Sequence, residues 1–328
     1  MNFSVLTTQF WSLMLSGVAL GLIYVLIALG YTMVYGVLRL INFANSEIFM
    51  VGTFAVVFAE TGLTGHTLDS EPLKGMQLIL TLGLALLIAM AASGFTAVMV
   101  EILAYRRLRS RGNNRLASLI SAIGMSIALS EAASVLTHAR PQSNPRLLEK
   151  TSLGEIAGAN FRIDTVLVLV SAIIMFFLLD RFVNKTRVGI AIRAVSMSEE
   201  NAKLMGVNLN RVISVTFLVG GIMTGAAAFL FMTVYETTKF NVGFSLGLAA
   251  FTAAVLGGIG NLRGAFWGGI TLGILETMSA AVLGSQWKAV TVFVVLVLVL
   301  LVENLELFSK IAHLNQKKTQ HYKDCLSF

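Results

Sequence analysis

The sequence predicts an all-α, polytopic bundle of transmembrane helices, and three observations support this fold class. Apolar residues make up 56% of the 328 positions and charged residues only 12%, whereas soluble domains carry about 25% charged residues. The mean hydropathy is +0.81. The apolar runs are spread from end to end and leave no soluble block large enough to fold by itself, so residues 1–328 are expected to form a single membrane domain.

Candidate membrane segments follow from the bilayer thickness, because a hydrocarbon core of about 30 Å requires roughly 20 apolar residues per helix. By this rule the candidates are residues 10–38, 41–59, 76–104, 116–137, 164–182, 211–233, 244–260, 264–284 and 288–303. Two of them are candidates for broken or re-entrant segments: the second opens with the polar string from Asn42 to Glu47, and the seventh is short and rich in glycine. The sequence therefore predicts eight or nine membrane segments.

The basic residues indicate how the chain is oriented. An excess of 24 Lys and Arg over 17 Asp and Glu is also typical of nucleic-acid binding, but here the basic side chains lie in loops between apolar runs, which is the pattern of membrane orientation. With the N-terminus outside, nine crossings place the C-terminus and most Lys and Arg residues inside. We therefore expect a multi-pass protein of the cell inner (plasma) membrane that contacts lipid and binds no nucleic acid.

The sequence lacks the motifs of enzymes and metal sites. It contains no G-x-x-x-x-G-K-[ST] loop for a nucleotide phosphate and no H-E-x-x-H pair, and its four histidines lie in loops or in the tail without ligand spacing. The one cysteine, Cys325, excludes an internal disulfide framework and a cysteine-based zinc site. We therefore expect a protein that is not an enzyme and that binds no metal or cofactor.

Polar residues within the apolar runs are candidates for a solute pathway. A carboxylate inside a membrane is costly and is by default a functional candidate. Glu131 and Glu276 lie deepest in their segments, and Glu47 lies near a predicted helix end together with Asn42 and Asn45. For Glu131 and Glu276 the alternative is a structural hydrogen bond to a neighbouring helix.

Glycines recur in small-xxx-small patterns, which allow helix backbones to approach closely in a membrane. One series comprises Gly257, Gly258, Gly260, Gly264, Gly268, Gly269 and Gly273, and the pairs Gly17/Gly21 and Gly221/Gly225 repeat the pattern. These patterns indicate either close packing within the bundle or a glycine-lined passage for a solute, in which Gly257 and Gly258 are the candidates.

The inner loop after residue 182 contains a short helix with signals at both ends. Ser196 and Glu199 form a capping-box pattern, and Glu199 and Lys203 stand four residues apart in the favourable order. Gly206 lies where a glycine would end the helix. The pattern predicts a helix from Met197 to Met205, about 13 Å long. It is either a surface connector or a helix that docks into a partner on the inner side.

Four stretches carry a family resemblance and recur in order over most of the chain. They are GVALGLIYVLIALGYTMVYGVLRLINFANSE from Gly17, YRRLRSRGNNRLASLISAIGMSIALSE from Tyr105, RVGIAIRAVSMSEENAKLMGVNLNRVISVTF from Arg187 and AAVLGGIGNLRGAFWGGITLGILE from Ala253. Together they resemble the LivH-type permease subunits of ABC importers for branched-chain amino acids.

This resemblance implies a pore-forming subunit of an ATP-driven importer. Its expected partners are two cytoplasmic ABC ATPase subunits, a second permease subunit that is identical or different, and an external solute-binding protein. ATP would be hydrolysed by the ATPase chains, in agreement with the missing phosphate-binding loop. The loop at about residues 183–210 would couple the ATPases to the membrane helices through Ala194, Ser196, Glu199, Glu200, Lys203 and Gly206.

The sequence is compatible with two classes of substrate. Where the family usually has Asn-Phe-Ala-His-Gly-Glu, residues 42–47 read Asn-Phe-Ala-Asn-Ser-Glu, which removes a histidine and a glycine. Related permeases carry urea or short amides, so branched-chain amino acids and small amides are both candidate solutes. A stand-alone secondary transporter or facilitative channel is the alternative function.

Overall fold

The structure, a computed structural model, describes residues 9–302 apart from 64, 66–72, 74, 111–114, 149–151 and 157–158. In this part of the chain seven helices are long and apolar enough to cross a membrane, which confirms the predicted all-α membrane class. The two segments predicted to be broken or re-entrant form shorter helices outside these seven. The predicted count of eight or nine depends on them and is not confirmed. The predicted inner C-terminus and Cys325 lie outside the described residues.

The described part of the chain contains eleven main helices. In order they are α1 Phe10–Leu38, α2 Asn45–Val57, α3 Met76–Val100, α4 Arg115–Thr137, α5 Ile163–Lys185, α6 Arg187–Met197, α7 Glu199–Leu204, α8 Leu209–Tyr235, α9 Val242–Leu256, α10 Leu262–Leu283 and α11, described over residues 288–302. Turns of π-helix extend α2 through Phe58–Leu63 and α3 through Glu101–Arg106, after which Arg107–Ser110 is again α-helical. A 3-10 turn, Ser285–Trp287, precedes α11.

Two short antiparallel strand pairs lie between the helices. Strands β2 (Ser152–Ile156) and β3 (Ala159–Arg162) form a hairpin before α5. Strand β1 (Gln142–Ser143) pairs with β4 (Thr237–Thr238), so the segment after α4 is tied to the segment after α8. The Thr238 hydroxyl also lies 2.7 Å from that of Thr53 in α2.

The core is built around α1 and α8. Every residue of α1 from Ala19 to Val34 is buried, and so is every residue of α8 from Met223 to Met232. A helix that is apolar on all sides is expected to be surrounded by other helices. Helices α3, α4, α5, α10 and α11 surround this core and expose large apolar side chains, among them Leu80, Ile120, Phe177, Trp267 and Phe293. Such an apolar outer surface suits lipid rather than water.

Glycines set the distance between α1 and α10, which form the most extensive helix contact. A Cβ atom added to Gly21 would lie 2.7 Å from the Gly269 carbonyl oxygen and 2.8 Å from the Ile270 Cα. Gly17 and Gly273 face the partner backbone in the same way. The predicted close packing is therefore confirmed for this pair of helices, because no side chain larger than hydrogen fits between the two backbones.

Candidate functional site

The connection between α5 and α8 contains two capped helices. Thr186 ends α5 and begins α6, where its hydroxyl accepts a hydrogen bond from the Gly189 N–H at 3.0 Å. Helix α7 begins at Ser198, whose hydroxyl accepts from the Asn201 N–H at 3.3 Å. Each cap satisfies a backbone donor that the start of a helix leaves open.

The predicted N-cap of the short helix was wrong by two residues. Ser196 lies inside α6, where its hydroxyl donates to the Arg193 carbonyl at 2.8 Å and its carbonyl accepts from the Arg39 guanidinium at 3.2 Å. Ser198 has the extended backbone of a cap, with φ −156° and ψ 116°. The reason is that α6 continues to Met197 and includes Ser196, so the capping-box pattern with Glu199 is not used.

The other end of α7 is as predicted. Gly206 has φ +82°, its N–H donates to the Lys203 carbonyl at 2.9 Å, and the Val207 N–H donates to the Ala202 carbonyl at 3.0 Å. This pair of bonds is the Schellman motif, in which glycine is favoured because the left-handed conformation carries no Cβ penalty. Helix α7 therefore has a fixed length and a defined end.

Most of the surface of α7 is exposed. Ala202 is its one buried residue, whereas Leu204 and Met205 are 84% and 85% exposed. Glu200 and Lys203 are exposed beside them, and Ala194 and Glu199 are half-buried. A groove of about 520 Å³ runs between α7, the segment that follows α3 and the N-terminal end of α8. Two large apolar side chains together with charges of both signs are typical of a contact surface for another protein.

A buried ionic network lies next to this groove. Glu101 is fully buried, and its carboxylate contacts Arg106 at 2.8 Å and Arg109 at 3.7 Å. The Ser214 hydroxyl of α8 donates to Glu101 at 2.9 Å, and Arg109 donates to Asn210 of α8 at 2.6 Å. The network thus fastens the π-helical turn after α3 to the N-terminal end of α8. The sequence gives little sign of this network, because Glu101 lies near the end of the predicted segment 76–104, where a carboxylate can reach water.

A second polar cluster surrounds the start of α2 and is buried among apolar helices. Asn42 accepts hydrogen bonds from the Ala44 N–H at 3.2 Å and from the Tyr105 hydroxyl at 3.1 Å. Asn45 lies beside Thr224 of α8, whose hydroxyl is 3.4 Å from its side-chain oxygen. The structure therefore brings two of the predicted pathway residues, Asn42 and Asn45, into one buried region with Glu47.

Glu47 is 2% exposed and lies where α2, α4 and α9 meet. Its Oε1 is 3.5 Å from the hydroxyls of Ser46 and of Ser126 in α4. Its Oε2 has no hydrogen-bond partner and faces Gly243 at the beginning of α9. Ser126 gave no signal in the sequence, because a serine in an apolar run is unremarkable until its neighbour is known.

The two deepest glutamates of the sequence occupy different surroundings. Glu276 is 5% exposed and accepts a hydrogen bond from the Tyr24 hydroxyl of α1 at 2.7 Å. This is a hydrogen bond to a neighbouring helix, the alternative that the sequence left open for this residue. Glu131 is exposed on α4. Gly257 packs against the backbone of Gly264, and Gly258 has φ +83° in the turn between α9 and α10.

Comparison with known proteins covers nearly the whole chain. Residues 13–302 match the family described as "Branched-chain amino acid transport system / permease component". The high-affinity branched-chain amino acid transport system permease protein BraD of Pseudomonas aeruginosa is 40% identical over 291 residues, 88% of this chain and 92% of that protein. The permease protein LivH of the corresponding system of Escherichia coli K12 is 37% identical over 292 residues, with the same coverage of both chains. The chain therefore belongs to the family of permease components of branched-chain amino acid transport systems.

Proposed function

We propose that the chain is the membrane-spanning translocation subunit of an ATP-driven importer for branched-chain or related amino acids. The observation that carries this function is the 40% identity to BraD over 88% of the chain, since both chains align over almost their whole lengths. A multi-pass inner-membrane location follows from the same relatives and from the seven apolar helices.

The proposed importer contains three further kinds of subunit. Two cytoplasmic ABC ATPases hydrolyse ATP, an external binding protein delivers the solute, and a second permease, identical or different, completes the path. This chain itself binds no nucleotide or other cofactor and supplies no catalytic residue. The exposed apolar and charged surface of α7 supports an ATPase contact on the inner side.

Helix α7 is the proposed coupling element. Glu199, Glu200 and Lys203 would contact the ATPase, and Ala194, Ser196 and Gly206 would hold the helix at the required angle. Movement of α7 would reach α3 and α8 through the Glu101 network beside the groove. The ATPases would favour the outward-open or the inward-open arrangement through different contacts in each state.

The proposed topology has nine crossings, with α2 and α9 completing the seven long helices. It places the N-terminus outside and the C-terminus inside, and it puts α6 and α7 on the inner side with Arg106 and Arg109. The excess of basic residues in the connections assigned to the inner side supports this orientation.

Charge reversal of α7 tests the coupling role. The variant Glu199→Lys/Glu200→Lys and the helix-breaking variant Ala202→Pro are expected to lose most ATP-dependent leucine uptake while the protein still inserts and assembles with the second permease. Arg181→Glu, a charge reversal at an exposed residue of α5, is the control and is expected to transport normally. Normal uptake by both α7 variants would refute the coupling role of α7. Leucine uptake that persists without the ATPases would refute the ATP-driven importer function.

A further inference from the structure

The described residues contain five buried carboxylates, and four of them are well compensated. The five are Glu47, Glu60, Glu101, Asp164 and Glu276. Glu60 accepts from the Asn144 amide at 2.6 Å and Glu276 from the Tyr24 hydroxyl at 2.7 Å. Glu101 and Asp164 are paired with arginines. Glu47 has neither a short hydrogen bond nor an arginine.

The hydroxyls near Glu47 provide little compensation. The Ser46 hydroxyl donates its single proton to the Phe43 carbonyl at 2.6 Å, so that it is not available to the carboxylate. The Ser126 hydroxyl lies 3.5 Å from Oε1, which is long for an O–H···O bond. In the described part of the chain no Lys, Arg or His nitrogen lies within 4.0 Å of this carboxylate.

A buried carboxylate with an unpartnered oxygen is costly unless a cation compensates it or a proton neutralises it. Oε2 of Glu47 is such an oxygen. It points towards the start of α9, where the helix supplies a partial positive charge but no cationic side chain. A compact cation with several N–H donors would compensate this carboxylate. The ammonium group of an amino acid is such a cation.

Aromatic rings lie close to the start of α2, on the segment that carries Glu47. The Phe43 ring, 36% exposed, is 6.4 Å from the Phe251 ring of α9, and the Phe251 ring also contacts Tyr31 at 6.0 Å. A carboxylate four residues after an aromatic ring on one segment suits a solute with a cationic end and an aliphatic end. Urea and short amides have no cation to offer.

We propose that the Glu47 carboxylate binds the ammonium group of the amino acid during its passage, with Phe43 and Phe251 contacting the aliphatic side chain. This proposal rests on the importer function and narrows its solute to compounds that carry an ammonium group. Because the site is closed in this structure, the solute reaches it when α9 and α4 separate from the start of α2.

Equilibrium binding of radiolabelled leucine to the permease–ATPase complex in lipid nanodiscs tests the role of Glu47. Glu47→Gln is expected to weaken binding by at least about tenfold, because it removes a charge-assisted bond. Asp180→Asn makes the same kind of change, carboxylate to amide, at a half-buried residue of α5 that pairs with Arg263, and it is expected to bind leucine like the wild type. Equal binding by Glu47→Gln and wild type would overturn the proposal.

A competition experiment on the wild-type complex tests the same idea without a variant. Leucinamide, which keeps the ammonium group and lacks the carboxylate, is expected to displace leucine. 4-Methylpentanoate, which keeps the carboxylate and the side chain and lacks the ammonium group, is expected not to. Equal displacement by both compounds, or no saturable leucine binding, would overturn the proposal even if Glu47→Gln failed to assemble.

Uptake by the complete importer separates this proposal from the function on which it rests. If the wild-type importer accumulates leucine with ATP and Glu47→Gln does so equally well, the ammonium role is refuted and the function stands. If the wild-type importer takes up no leucine with ATP, the proposed importer function is refuted, and the proposed role of Glu47 is refuted as well.

Discussion

The glycine contact between α1 and α10 allows the cost of one methyl group to be worked out. In Gly21→Ala the new Cβ would lie 2.7 Å from the Gly269 carbonyl oxygen and 2.8 Å from the Ile270 Cα, whereas ordinary contacts begin at 3.4 Å. Both obstructing atoms belong to the backbone, so no side-chain rotation relieves the overlap. The helices must separate by about 0.7 Å, and a gap of this size forfeits a quarter to a half of the dispersion energy at each contact.

Gly36→Ala is the matched control because Gly36 lies in the same helix and has nothing within 4 Å of its added Cβ. Both variants gain the higher helix propensity of alanine, about 1 kcal/mol, which therefore cancels in the comparison. Overpacking costs about 1–3 kcal/mol, so Gly21→Ala is expected to be less stable than Gly36→Ala by about this amount.

The assay is unfolding of the purified permease in mixed micelles by increasing SDS, followed by tryptophan fluorescence. A midpoint for Gly21→Ala at or above that of Gly36→Ala would refute the packing argument. The double variant Gly21→Ala/Gly269→Ala adds a further test. Once the first methyl has separated the helices, the second should cost less than it does alone, because contacting positions are not additive.

Three further predictions concern single side chains. Ser198→Ala removes the cap of α7 and is expected to destabilise the helix by about 1 kcal/mol. The amides of α7 should then exchange hydrogen about fivefold faster, whereas Ser196→Ala, the control, should leave their exchange unchanged. Gly206→Ala forces a Cβ into a left-handed conformation at a cost of about 1 kcal/mol and should lower the protection of the same amides. Tyr24→Phe leaves the buried Glu276 carboxylate without its 2.7 Å donor and should lower stability towards SDS by about 1–3 kcal/mol; an unchanged midpoint would show that this bond contributes nothing.

Sequence reasoning found the helices reliably because membrane hydropathy is a local property. The first predicted segment, 10–38, coincides with α1, and the predicted 116–137 lies within α4 (Arg115–Thr137). Gly206 was found for the same reason, since a helix-ending glycine depends on its immediate neighbours. The capping serine was missed because the choice between Ser196 and Ser198 depends on where the preceding helix ends, and that helix was not predicted.

Features that depend on distant partners were beyond a single sequence. Glu131 and Glu276 gave equal signals, and only the position of Tyr24, 252 residues from Glu276 along the chain, distinguishes a bonded glutamate from an exposed one. The environment of Glu47 could not be predicted for the same reason, because Ser126 and Gly243 belong to helices that follow much later in the chain. A carboxylate in an apolar run can be noticed in the sequence. Which groups pair with it or donate hydrogen bonds to it depends on how the helices pack.

The polar string after α1 explains why the second candidate segment is interrupted. Irregular backbone inside a membrane is tolerated only where protein groups satisfy its N–H and C=O groups. Asn42 accepts from the Ala44 N–H, and the Ser46 hydroxyl donates to the Phe43 carbonyl, so the polar side chains replace the bonds that a continuous helix would make. With these bonds the chain can begin α2 inside the bundle instead of at the membrane surface. The same turn holds Glu47 among apolar helices, and the residues that interrupt the hydrophobic run are therefore also those that create the buried polar site.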